Sequence, residues 1–154
     1  MRLHRLRAEM AARGLAALVV AGDSNRYYMS GFTGSSGVLL ITQGDAVLIT
    51  DFRYTEQAAK QAQGFRIVMH AGRIPESVSA VAQELGIGRL GLESDHLTYA
   101  EFEGYSHALA GVADISPVKG VVESVRMLKN SSEIDIMAEA CRITDQAFEH
   151  ILGF

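Results

Sequence analysis

The sequence predicts an α/β fold, a mixed β-sheet with helices on both faces. Three observations predict it. Short apolar, β-branched runs alternate with stretches of helical periodicity along most of the chain. Two of those runs, Val38–Thr42 and Ala46–Thr50, are separated only by Gln43-Gly44-Asp45, the spacing and residue types of a tight antiparallel hairpin. The remaining strands need crossovers, and a sheet built that way is covered on both faces.

The elements follow in order. Leu3, Leu6 and Met10 keep helical spacing, with Arg and Glu9 between them and Gly14 as a stop. The apolar run 15–21 then reads as a buried strand; it is too short for a membrane span, which needs about 20 apolar residues. Arg2, Arg5, Arg7 and Arg13 ahead of it superficially copy a signal peptide, but the helical spacing favours an amphipathic helix. Asp23–Ser30, polar and aromatic, reads as a loop that continues into Gly31-Phe32-Thr33-Gly34-Ser35-Ser36-Gly37. After the hairpin, 54–62 is helical and stops at Gly64, and 65–69 is a strand. Ile74, Val78, Val81, Ala82 and Leu85 mark a helix closed by Gly86. Arg89–Glu93 is a strand, and Thr98-Tyr99-Ala100-Glu101 is a capping box stapled by Leu97 and Phe102. Pro117 places the strand Asp114–Val118 at a sheet edge. Asn130 and Glu133 open a long amphipathic helix with Ile134, Met137, Ala138, Cys141, Phe148, Ile151 and Leu152 on its apolar stripe.

Composition narrows function. The chain has 154 residues, the size of one compact domain, with 48% hydrophobic and 21% charged residues, which excludes a disordered or fibrous class. A net charge of -4 offers no general attraction for nucleic acid or an anionic membrane. One cysteine, Cys141, cannot form an internal disulfide, and the expected location is the cytoplasm.

The chemistry-bearing motifs are few. The glycine stretch lacks the Lys-Ser/Thr ending of a phosphate loop and leads into a strand, and Gly34-Ser35-Ser36-Gly37-Val38 is not a nucleophile elbow. Five histidines lack ligand spacing, so no metal site is signalled. Glu93-Ser94-Asp95-His96 follows a strand end, where α/β sheets place ligand-binding residues. Its simpler account is a turn whose polar groups satisfy backbone. Asp51 is placed to cap the helix that follows it. Arg53 opposes that helix's dipole by about 0.3–1 kcal/mol, so either a neighbouring carboxylate, Asp51 or Glu56, pairs with it or it grips a carboxylate from a ligand or partner chain.

Three segments together carry a resemblance: Asn25-Arg26-Tyr27-Tyr28-Met29-Ser30-Gly31-Phe32-Thr33-Gly34-Ser35, then Asp51-Phe52-Arg53-Tyr54 with Gln57-Ala58, then Val125-Arg126-Met127-Leu128-Lys129 before the Glu133-Ile134 helix. In order and spacing they resemble the Xaa-Pro peptidase family of aminopeptidase P, prolidase and creatinase, the first two more than the third. The resemblance implies a creatinase/prolidase-type N-terminal domain, ribonuclease-H-like in fold, over residues 1–128. Residues 129–154 would be the linker and opening helix of a pita-bread catalytic domain, which the chain itself lacks. It implies a hydrolase whose two divalent ions, manganese, cobalt or zinc, are held by two aspartates, a histidine and two glutamates in that further domain. No catalytic or metal residue is then expected in this segment. The resemblance also implies a homodimer acting on proline-containing peptides, with Arg53, Tyr54, Tyr28 and Phe32 as substrate-mouth or dimer contacts. Asn130 stands where many relatives carry Ser or Thr, and it caps equally well.

Two other readings compete. One is a free-standing protein- or peptide-binding module of the same fold. The other is a metal-dependent nuclease built on Asp23, Asp51, Glu93 and Asp114 near strand ends, against which the acidic charge balance stands.

Overall fold

The computed structural model describes residues 2–153; Met1 and Phe154, the outer limits of the two expected segments, lie outside them. Helix α1 (Arg2–Ala12) leads into strand β1 (Ala17–Val20) and helix α2 (Asp23–Ser30), followed by the hairpin β2 (Val38–Thr42) and β3 (Ala46–Thr50). A 3-10 turn, Phe52–Tyr54, runs into α3 (Thr55–Gln61), β4 (Arg66–Met69) and α4 (Ile74–Glu84). The chain then forms β5 (Arg89–Glu93), α5 (Tyr99–Ala108), β6 (Asp114–Val118), α6 (Val121–Met127) and α7 (Ser131–Leu152).

The six strands form one sheet in the order β4-β3-β2-β1-β5-β6. β2 is antiparallel to both neighbours, and the β1–β5, β3–β4 and β5–β6 pairs are parallel. All strands except β2 therefore end at one edge of the sheet. The pleat sends alternate residues of β1 to opposite faces. Leu18 and Val20 join Leu6, Met10, Met29, Ala58, Val122 and Val125 under α1, α2, α3 and α6. Ala17 and Val19 join Val78, Val81, Ala82 and Tyr105 under α4 and α5. The expected two-sided cover is present. β6 lies at the edge, where the missing N–H of Pro117, opposite Leu92, costs no second ladder.

Two elements depart from the sequence reading. Asp23–Ser30, expected as a loop, is helical: the Arg26 N–H bonds the Gly22 carbonyl at 2.8 Å, and Gly31 closes the helix at φ 76° with its N–H on the Tyr27 carbonyl. Its buried residues are Asn25, Arg26, Met29 and Ser30, so the face turned inward is mostly polar and leaves no hydrophobic period to read. Helix α6 had no sequence signal; it is seven residues long and rich in Val, which is β-prone when short. The rest stands close to expectation, including the Thr98–Glu101 and Asn130–Glu133 capping boxes.

Helix α7 differs from the others. It has no buried residue, and Ile134, Ile136, Met137, Ile143, Phe148, Ile151 and Leu152 are each more than half exposed.

Candidate functional site

The edge where β1, β3 and β5 end carries two clusters. In the first, Glu93, the last residue of β5, is 4% exposed. Its Oε2 accepts the N–H of Ala21 at 2.8 Å and of Gly22 at 3.0 Å, the two residues that follow β1. Its Oε1 accepts from Asn25 Nδ2 at 2.8 Å. The same amide nitrogen donates to Glu123 Oε1 at 2.6 Å, while Asn25 Oδ1 accepts from Arg126 Nη1 at 2.7 Å. His96 Nε2 lies 2.8 Å from Glu123 Oε1. Four side chains from β5, α6 and the turn before α5 thus meet around the buried amide of Asn25 on α2.

Their electrostatics differ by surroundings. Burial raises the Glu93 pKa, against which the bonds from Gly22, Asn25 and Ala21 work. The hydrogen bond to Glu123 raises that of His96. Burial pushes Glu123 up, but its bonds to His96 and Asn25 outweigh that and leave it below the ordinary carboxylate value. The sign follows for each partner. His96 contributes stability that is complete below its unfolded pKa and lost as pH rises through its folded pKa; Glu123 contributes stability that is lost as pH falls through its own. The pair is therefore at full strength only between the ordinary carboxylate and imidazole values, 4.5 and 6.5. An NMR titration should place the His96 midpoint above 6.5 and return it toward that value in Glu123→Gln; a midpoint unmoved by the substitution contradicts the assignment.

Among the described residues, Glu93, His96 and Glu123 are the group able to hold a cation, with one donor atom each, all within 4.8 Å of one another. Asn25 Nδ2 already stands 2.8, 3.3 and 2.6 Å from those atoms and bridges the carboxylates as a neutral donor. The cluster offers one imidazole and two glutamates but no aspartate, so it does not fit the five-residue dinuclear set that the resemblance implies. No hydrolytic step is derived from it.

The second cluster centres on Asp51, which caps the 3-10 turn by accepting the Arg53 N–H. The Arg53 guanidinium returns to the same carboxylate through Nε at 2.9 Å and Nη2 at 2.7 Å. Of the alternatives for Arg53, the structure shows the neighbouring carboxylate as its partner, while 61% of its side chain stays exposed. The hydrogen bond from Arg53 holds Asp51 at about 2. Tyr54 lies beneath the Arg53 guanidinium, 5.4 Å from its ring centroid, and shares a 2.7 Å hydrogen bond with Ser35 Oγ.

Phe32 meets Tyr54 edge-on at 5.7 Å, but it is 1% exposed and so supports the cluster from the core; as the chain stands it presents no contact surface. The loop above it is fixed rather than loose. Arg26, itself buried, donates to the carbonyls of Gly34 and Gly37 at 2.7 Å each. Gly34 passes so close to Phe32 that a Cβ there would lie 2.2 Å from Cζ. Tyr28 is placed apart, on α2, under the Arg2 guanidinium at 4.3 Å. It lines a groove of about 530 Å³ with Tyr27, Met127, Ile136 and Met137.

The carboxylates of the nuclease reading do not assemble. Asp23, Asp51 and Glu93 share one sheet edge, whereas Asp114 opens β6 opposite Arg89, at the other. The sequence singles out Glu93 and His96 as a polar cluster; Asn25 and Arg126 stand out in it only as members of the segments that carry the resemblance, and Glu123 is not marked at all. Those last three lie on the two helices that the sequence does not signal, and no spacing along the chain links them.

Comparison with known proteins places this architecture. The model of the Creatinase/Prolidase N-terminal domain matches residues 2–128. The uncharacterized peptidase YqhT of Bacillus subtilis is 42% identical over 154 residues, all of this chain and 43% of that protein. Among solved structures, an Xaa-Pro dipeptidase from Bacillus anthracis superposes with a TM-score of 0.93 at 45% identity, over 99% of this chain and 42% of that one. The N-terminal domain of the cytoplasmic peptidase PepQ from Mycobacterium tuberculosis gives 0.75 at 37% identity, over 80% of this chain and 97% of that one. The chain thus spans less than half the length of the first two proteins.

Proposed function

The chain belongs to the creatinase/prolidase N-terminal domain family, and on that premise we propose that it serves as the noncatalytic N-terminal domain of a dinuclear-metal Xaa-Pro peptidase. The parent is of the aminopeptidase P or prolidase type and hydrolyses the amide before proline. The observation that carries this reading is coverage: the whole chain aligns with 43% of one peptidase and superposes on 42% of another. In this reading residues 1–128 are the domain proper, and 129–154 join it to the catalytic part, which holds the metals. The capped start of α7 at Asn130 and its exposed stripe support that division.

The reading extends to a cytoplasmic homodimer. The Mycobacterium tuberculosis relative is named as cytoplasmic, and among the described residues no helix is long and apolar enough to cross a membrane. Arg53 and Tyr54, beside a Phe52 that is 78% exposed, form the contact patch at the substrate mouth or dimer interface. Arginine and aromatic side chains dominate such patches. Tyr28 contributes through its separate groove, and Phe32 by supporting Tyr54.

In the full-length enzyme, Arg53→Ala should weaken dimerisation or substrate capture about fivefold or more while leaving the fold intact, since an interface arginine is worth over about 1 kcal/mol. Sedimentation and steady-state kinetics test it; wild-type dimer affinity and KM would make Arg53 a surface charge.

The function itself is tested by comparing this chain with the polypeptide that continues beyond it. With manganese, the longer protein should cleave Xaa-Pro substrates, and the 154-residue chain should give no turnover above a blank. A longer protein inert with manganese, cobalt and zinc sinks the proposal. A gene product that stops after Phe154 would favour the free-standing binding module instead.

A further inference from the structure

Among the described residues of α7 the others are exposed, and Glu133 alone is half-buried. It sits in the helix's first turn and uses both carboxylate oxygens. Oε2 accepts the Asn130 N–H at 2.9 Å, which closes the capping box, and Oε1 accepts from Arg2 Nη2 at 2.8 Å. The other end of the Arg2 fork donates through Nη1 to the Tyr28 carbonyl at 2.7 Å, with the guanidinium 4.3 Å from the centroid of that residue's ring. One planar cation therefore ties α1, α2 and α7 together.

Its neighbour reinforces the arrangement. Arg5 donates to the carbonyls of Val125 at 2.9 Å and Leu128 at 3.1 Å, at the C-terminal end of α6. Helix α1 is a firm base for both, because Leu6 and Met10 are completely buried against the sheet. Helix α7, by contrast, buries no apolar side chain of its own, so packing does not dictate its direction. At its start the described residues tie it to the domain through the short connection 128–130 and the Arg2–Glu133 pair. An ion pair this accessible adds little to folding stability. Its value is geometric: a guanidinium holds two acceptors at a fixed mutual angle, which a point cation cannot do.

We propose that Arg2 is a positioning residue, a latch in the first turn of α1 that fixes the direction in which α7 leaves the sheet domain. The start of the chain thereby sets the placement of whatever α7 packs against, across 131 residues of sequence. The proposal concerns this chain's own geometry and holds whether or not the parent is a peptidase.

Cys141, the chain's one cysteine, is exposed on α7 and gives a ready label. A second label at Gln83→Cys, on the exposed surface of α4, supports single-molecule energy transfer at picomolar concentration, where chains do not meet. The labelled protein should give one narrow transfer-efficiency peak. Arg2→Ala should lose it, replacing it with a broad or displaced distribution while the thermal unfolding midpoint holds, and Glu133→Gln should do the same. If Arg2→Ala lowers the midpoint, Arg2→Gln, which keeps a donor for the Tyr28 carbonyl, carries the test with the same expectation. A narrow peak unchanged by these variants overturns the proposal, as does a peak already broad with Arg2 in place.

Discussion

The 154-residue polypeptide is expected to self-associate at micromolar concentration through α7. The helix presents Ile134, Met137, Phe148, Ile151 and Leu152 to solvent at 52–70% exposure. Fully burying one such side chain is worth about 1.5–3 kcal/mol. An isolated helix in water is marginal, so beyond the turns held by the Asn130 cap and Arg2 the cheapest way to keep this one folded is to pair it. A two-fold arrangement lets the stripe cover its own copy, as a self-complementary patch does in most homodimers. In the longer protein proposed above, the same stripe is taken by the rest of the chain, so this association belongs to the separate domain. Light scattering should report dimers, and amide exchange should show protection over residues 142–152 that weakens on dilution. A monomer at micromolar concentration overturns this, whether its α7 amides exchange freely or stay protected by docking on their own domain.

Replacing Asn25 by Leu should destabilise the domain by about 3 kcal/mol, because it takes the side-chain donor from Oε1 of the buried Glu93 and the acceptor from Arg126. Asn25 is 0% exposed, and its amide is the shared partner of Glu93, Glu123 and Arg126. Leucine is close in volume, so the loss reports hydrogen bonding rather than a cavity. At about 2–4 °C per kcal/mol for a domain of this size, the thermal midpoint should fall by roughly 6–12 °C. The effect should shrink when Glu93 is already Gln, since residues in one network do not add independently. Urea denaturation of the two single variants and the double variant measures this. A fall below about 1 kcal/mol would mean that water substitutes for the amide.

The contrast between what the sequence disclosed and what it concealed follows from the same network. Strands β1, β2 and β3 announce themselves because apolar β-branched runs have few other uses. The capping boxes at Thr98 and Asn130 were legible because a cap and its N3 glutamate are local. Helix α2 was not, because it turns Asn25, Arg26 and Ser30 inward and hydrophobic periodicity detects only apolar faces. The same polar face supplies the central amide of the first cluster and the guanidinium that holds the glycine loop. Arg53 was singled out by its charge at a helix start, and the carboxylate that offsets it proved to be Asp51, two residues away. His96 and Glu93 were noticed as neighbours in sequence, yet their common partner Glu123 comes from α6, and only folding brings it to them.

The place of β1 in the sheet orders events during synthesis. Of the six strands this one is synthesised first, yet it sits inside the sheet, with β2 on one side and β5 on the other. Its pairing with β2 needs only the next few dozen residues, so the β1-β2-β3-β4 half can form while the chain is still being made. The opposite side must wait until Gly91 and Leu92 appear to take their places beside Leu18 and Val19. During that interval the free edge of β1, a run of Ala, Leu and Val, is open to pairing with another nascent chain. The domain's exposure to misassembly is thus concentrated in one stretch of translation, between the completion of β3 and the arrival of β5. Slowing of the ribosome within that stretch would lengthen the exposure, and slowing after β5 would not.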